Sequence, residues 1–184
     1  MREAGDFDFL SVLSRSWQIW RRAPHVHLLV GLVLPLGSIV SFGALLGPIS
    51  VGYFRYLRAL SQDRAPETAI LFSGFDGDMG LSMKTGLALL WGTIAGLLVG
   101  VLPGLLFLMV FGFAVRSVAD GATSVRAAMR ASLELFKYRT VIVSELWGMA
   151  LALQIVGLAS VVLAPLTSGV VAVVLSEGRE RLFL

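Results

Sequence analysis

The decisive stretch runs from Thr85 to Val115, TGLALLWGTIAGLLVGVLPGLLFLMVFGFAV, thirty-one residues without an acidic or basic side chain. It is too long for one upright span, because about 20 apolar residues rising 1.5 Å each already cross a hydrocarbon core of roughly 30 Å. At its centre stands Pro103-Gly104. Proline removes a backbone donor and clashes with the preceding turn, and glycine permits a tight reversal. The stretch therefore reads as two short helices folded back on each other, a hairpin over residues 85–118.

Two further charge-free runs flank it, residues 23–54 and 146–176, of 32 and 31 residues. Each carries its own break, Gly47-Pro48 and Ala164-Pro165. Read alike, they give hairpins over 23–60 and 141–178, with turns at Pro48 and Pro165 beside the one at Pro103. In the first run, Pro35 and Gly37 offer a competing break, which leaves one kinked span as the alternative there. Charge distribution supports the hairpins independently. If each run crossed once, the polar segments would alternate sides and divide the basic residues nine to six. With three hairpins, all 15 Lys and Arg lie on one side, as the positive-inside rule prefers.

Composition agrees. Of 184 residues, 57% are hydrophobic and 15% charged, too few charges to keep the remaining apolar surface in water. The expected fold class is an all-α integral membrane protein. Three Pro/Gly-broken hydrophobic hairpins supply up to six short transmembrane helices, and the whole chain, residues 1–184, forms one membrane domain. Residues 1–22 mix Glu3, Asp6 and Asp8 with arginines, so no cleavable signal peptide is expected.

Two amphipathic segments are expected at the membrane interface. In 7–22, Phe7, Leu10, Leu13, Trp17 and Trp20 recur at helical spacing. In 123–139, Val125, Ala128, Met129, Ser132, Leu133 and Phe136 oppose Arg126, Arg130, Glu134 and Lys137. The apolar face of 123–139 suits either lipid or the protein's own bundle. Pro48-Ile49-Ser50-Val51-Gly52 echoes Pro165-Leu166-Thr167-Ser168-Gly169, which hints at an internal repeat.

Candidate functional residues are few. Gly92, Gly96, Gly100 and Gly104 recur at intervals of four, a side-chain-free stripe for an oligomer interface or pore lining, or for packing against the other arm of the same hairpin. Glu145 and Gln154 are the candidate polar residues for transport, with Glu145 as an interfacial carboxylate the competing reading. Thr93, Ser38, Ser41 and Ser160 are small polar groups inside the apolar runs, and Arg116 is expected to end its helix and snorkel. His25 and His27, two apart beside Pro24, suit an interface better than a metal. Asp76 and Asp78 lack the remaining ligands of a calcium loop. With no cysteine and no nucleophile–base pairing, neither catalysis, a metal site nor a cofactor is expected. The basic residues are dispersed, so nucleic acid is not an expected partner.

The order of motifs resembles bacterial multi-pass membrane proteins of unknown function, related to the membrane domain found beside glycerophosphoryl diester phosphodiesterases. The residues carrying the resemblance are Pro48 to Gly52, Asp63-Arg64-Ala65-Pro66, Phe72-Ser73-Gly74-Phe75, Pro103-Gly104, Ala119-Asp120-Gly121, and Ser132 before Leu135-Phe136-Lys137. It implies a membrane module without an assigned activity, since the acidic metal site of the phosphodiesterase has no counterpart. The expectation is a scaffold, accessory subunit or membrane-shaping component of the bacterial inner membrane, both termini cytoplasmic. Its partners would be lipids, further copies of itself or a membrane protein complex. The alternative is a small oligomeric channel or transporter for lipid or a small solute.

Overall fold

The computed structural model describes residues 9–77, 79–159, 171, 173 and 174. Its elements are α1 (Phe9–Arg22), α2 (Pro24–Val40), α3 (Leu46–Ser61), a 3₁₀ turn (Thr68–Phe72), α4 (Met79–Val99), α5 (Val101–Phe111), α6 (Ala114–Ala119), α7 (Val125–Tyr138) and α8 (Thr140–Ala159). No strand occurs among the described residues. Met79–Val99, at 21 residues, and Val101–Ala119, at 19, are long and apolar enough to cross a membrane. Ser11–Arg22 and Pro24–Val40, bent by 95° at Ala23, meet the same criterion only if counted together as one broken span.

The chain divides into two compact units, one drawn from residues up to Gly31 and from Val141 onward, the other Leu32–Thr140. The ends of the chain thus share a unit that the middle does not. Three charge-free runs of nearly equal length carry no sign of that grouping.

The middle unit contains the expected second hairpin, with its turn displaced. The break falls at Gly100, whose backbone is extended, and Pro103 is the third residue of α5. The first run behaves similarly. Its break spans Ser41–Leu45, where Phe42 and Gly43 take φ of 52° and 89°, and Pro48 is the third residue of α3. Pro35 lies within α2. The physical reason is shared. The first-turn N–H groups of a helix have no partner within it, so proline is tolerated there and marks a start. The reversal is left to residues just upstream, at Gly43 to a glycine that accepts a left-handed backbone. Pro165 and Ser160, with the second half of the suggested repeat, lie outside the described residues.

α3, expected as the second arm of a membrane hairpin, is instead enclosed. Val51, Gly52, Tyr53, Tyr56, Leu57 and Leu60 are buried, and it packs against α4, α6 and the 3₁₀ turn. The core sits where Val51 of α3, Leu89 of α4, Ala114, Val115 and Val118 of α6, and Ala128 of α7 meet. α7 begins as its sequence demands: the Ser124 hydroxyl accepts from the Ala127 N–H, capping the first turn. It packs its apolar face on α4, α5 and α6 and leaves Arg126, Arg130, Glu134 and Lys137 exposed. Between lipid and the protein's own bundle, the bundle takes that face.

In the other unit, α1 buries Val12, Ser16 and Ile19 along one stripe and exposes Trp17, Arg15, Gln18, Arg21 and Arg22. Trp17 stacks on Trp20 at 5.2 Å, and Trp20 on His27 at 6.3 Å.

Candidate functional site

The middle unit has two parts with different chemistry, an enclosed base and a bare hairpin end. The base is tied together by glycines that let backbone meet backbone. A methyl group at Gly47 of α3 would collide with the Ser82 carbonyl of α4, and one at Gly86 with the backbone of Gly47. Gly52 faces the Leu71 carbonyl of the 3₁₀ turn, and Gly74 faces the Pro48 carbonyl. Two motifs singled out from sequence, Pro48 to Gly52 and Phe72 to Phe75, therefore meet in one contact. Polar bonds fix the same junction. Ser82 Oγ donates to the Gly74 carbonyl at 3.1 Å, and Arg55 Nη1 to the Ser73 carbonyl at 2.8 Å.

Arg116 does not snorkel. It is 3% exposed, with its guanidinium 5.5 Å from the Phe54 ring centre and Nη1 3.4 Å from the Phe54 carbonyl. Its Nε lies 3.5 Å from Asp120 Oδ1, which also meets Arg58 Nη1 at 3.3 Å. The short helix α6 carries Arg116 into the base, where a carboxylate and an aromatic face replace the water that snorkelling would have reached.

The hairpin end is built differently. α4 and α5 run antiparallel about Gly100, and the glycine stripe lies inside the hairpin. Gly96 meets Gly104, where an added Cβ would lie 2.7 Å from the Gly104 Cα, and Gly92 lies under the Phe107 ring. Gly104 in turn faces Leu97. The four glycines do not form one stripe on one helix, because the helix breaks at Gly100. Of the uses expected for them, packing against the other arm is the one this geometry makes. Outward, the same segment is bare: Leu98 is 84% and Leu102 is 81% exposed, with Val99, Val101 and Leu106 exposed beside them. An open apolar groove of about 220 Å³ lies lower down, lined by Ser38, Ile39, Phe42, Leu90, Trp91 and Ile94.

α7 locks onto the hairpin through a residue that amphipathic spacing alone does not explain. Ser132, 1% exposed, donates from Oγ to the Val110 carbonyl at 2.7 Å. Val110 lies in the last turn of α5, where in-helix partners for carbonyls run out. A serine at the centre of an otherwise apolar helix face was the signal available for this contact.

The remaining candidates are not gathered. Glu145 and Gln154 both lie on α8, Glu145 exposed and Gln154 half-buried. Nine residues apart at about 100° each, they point to opposite sides of that helix. Gln154 Oε1 is buried without a hydrogen-bond partner among the described residues. Ser38, Ser41 and Thr93 return their hydroxyl protons to the carbonyls four residues back, Leu34, Gly37 and Leu89. His25 is exposed, while His27 is buried under Trp20 rather than lying at a surface. Asp76 is exposed, and Asp78 lies outside the described residues. Among the described residues no group of three or more His, Cys, Asp or Glu is placed to hold a metal. No protein-family model matches the chain, and no curated protein or solved structure is detectably similar to it.

Proposed function

We propose that this chain is a non-catalytic integral membrane protein, a scaffold, accessory subunit or membrane-shaping component that acts by association. The observation that carries this reading is the α4–α5 hairpin, whose end presents a continuous apolar surface with no charged residue from 85 to 115. Such a surface is costly in water and free in lipid. Beneath it, the base presents Arg126, Arg130, Glu134 and Lys137 on α7 and Lys84 on α4, a charged collar suited to headgroups. In this reading the hairpin enters and leaves the bilayer on one side, in a bacterial inner membrane with both termini cytoplasmic. The resemblance to membrane domains found beside glycerophosphoryl diester phosphodiesterases adds placement in a membrane and no hydrolytic activity. The test is purification in mild detergent, followed by reconstitution into vesicles. Self-association, a stable membrane protein partner or a change in vesicle shape is expected. A strict monomer that copurifies with nothing and leaves vesicles unchanged overturns the reading.

A small oligomeric channel or transporter is the second reading, favoured by the unpartnered Gln154 Oε1 on an apolar helix. It requires several copies to pool groups that α8 holds on opposite faces. Flux through reconstituted vesicles should then fall in Glu145→Gln or Gln154→Leu with assembly intact; unchanged flux in both removes it.

A further inference from the structure

We infer that the α4–α5 hairpin is inserted from one side into a single leaflet and turns inside the hydrocarbon, with α7 setting its depth. The inference rests on the reading above that the hairpin lies in a bilayer, and it adds where the hairpin stops.

The argument is one of levels along the hairpin. Ser132 pins the middle of α7 to Val110 of α5. Arg130 and Glu134, within one turn of Ser132, are both exposed and carry charge, so this level belongs to headgroups and water. From Val110 to the break at Gly100 is ten residues of helix, about 15 Å of rise. The other arm gives the same length. On α4, Ser82, Thr85, Gly86 and Leu89 are buried, and the first exposed residue after them is Trp91, at 53%. Nine residues separate Trp91 from Gly100, about 14 Å. The hydrocarbon core is about 30 Å thick, so the bare part of both arms matches one leaflet.

The chemistry of the turn fits a position in oil. No polar side chain occurs from Ile94 to Val115, so the turn offers nothing to water on a far side. Two of its backbone donors are satisfied within the turn. The Gly100 N–H donates to the Gly96 carbonyl at 3.0 Å, the Gly104 N–H donates to the Gly100 carbonyl at 3.3 Å, and Pro103 has no N–H to hide. An unsatisfied backbone group in hydrocarbon costs several kcal/mol, so each donor removed here favours burial of the turn. The surface that Leu98, Val99, Val101 and Leu102 present is therefore one for the acyl chains of a single leaflet.

The chain has no cysteine, so single thiols report cleanly. Leu98→Cys and Leu102→Cys replace exposed side chains and leave packing alone; Lys84→Cys and Thr123→Cys serve as references on the polar side. The full chain is reconstituted in phosphatidylcholine–phosphatidylglycerol vesicles and treated with an impermeant maleimide from either side. Positions 98 and 102 should react about tenfold or more slowly than 123 from both sides, as expected for thiols in hydrocarbon. A fluorophore at 102 should be quenched best by lipids with a nitroxide near the acyl terminus. Labelling at 102 from the side opposite to 123 shows full crossing and overturns the single-leaflet inference alone. Labelling at 102 as fast as at 123 and from the same side places the hairpin outside the bilayer, and the membrane reading falls with it.

Discussion

Leu89 and Leu98 stand on the same helix, nine residues or about two and a half turns apart with neither charge nor proline between them, yet one is 8% exposed and the other 84%. The first belongs to the base, where α3, α4, α6 and α7 close around it. The second belongs to the hairpin end, where among the described residues α5 is the helix alongside. Both regions use glycine to bring helices together, Gly47 with Gly86 in the base and Gly96 with Gly104 near the end. The difference lies in what surrounds the contact. In the base the outer faces are covered by further protein, so the region can hold its shape on side-chain burial. At the end they are uncovered, and in the proposed reading they meet lipid, where helix pairing depends on close packing with no hydrophobic drive.

Substitutions can break this contrast or sharpen it. The largest effect is expected at Gly47→Val, because the added side chain meets the Ser82 backbone, which cannot swing aside. A loss of about 3 kcal/mol or more is expected, measured by denaturation in detergent. Leu89→Ala should follow, at about 3 kcal/mol, from lost burial and the cavity left behind. If Leu89→Ala were as mild as a surface change, the enclosed base would not be the stable part. Ser132→Ala should cost about 1 kcal/mol by leaving the Val110 carbonyl without its donor. Smallest is Leu98→Ala, within about 0.5 kcal/mol for the fold in detergent, while retention on vesicles falls. A large loss of fold stability from Leu98→Ala would mean that the end is not bare.

Much of the helical layout follows from patterns that residues carry locally. The amphipathic face of α7, the charge-free core of α4 and α5, and a break near residue 100 are each consequences of spacing or composition. On α1 the spacing of Leu13, Trp17 and Trp20 points to the wrong face, since Val12, Ser16 and Ile19 are the buried stripe and Trp17 is exposed. The turns lie three to six residues upstream of Pro48 and Pro103, because proline does not only signal a reversal. It is equally at home in the first turn of the next helix, and Pro24, Pro48 and Pro103 all sit there. The enclosure of α3 and the burial of Arg116 depend on contacts between segments far apart in the chain, Phe54 with Arg116 and Arg58 with Asp120. Hydropathy along the chain treats an apolar helix in protein and one in lipid alike. For the candidate site, Gly92, Gly96 and Gly104 pack within their own hairpin, and Gly100 forms its break, a division that spacing by fours does not reveal.

The bond from Ser132 to Val110 has a consequence for the membrane itself. A helix that crosses a bilayer must match its hydrophobic length to the full thickness, and mismatch sorts such proteins among membranes. A hairpin stopped by a charged flange on its own fold has no far interface to match. Its fit would follow the depth of the leaflet it enters, and area added there alone would be relieved by bending. Where such a protein gathered would then be decided by how curved a membrane is rather than by how thick.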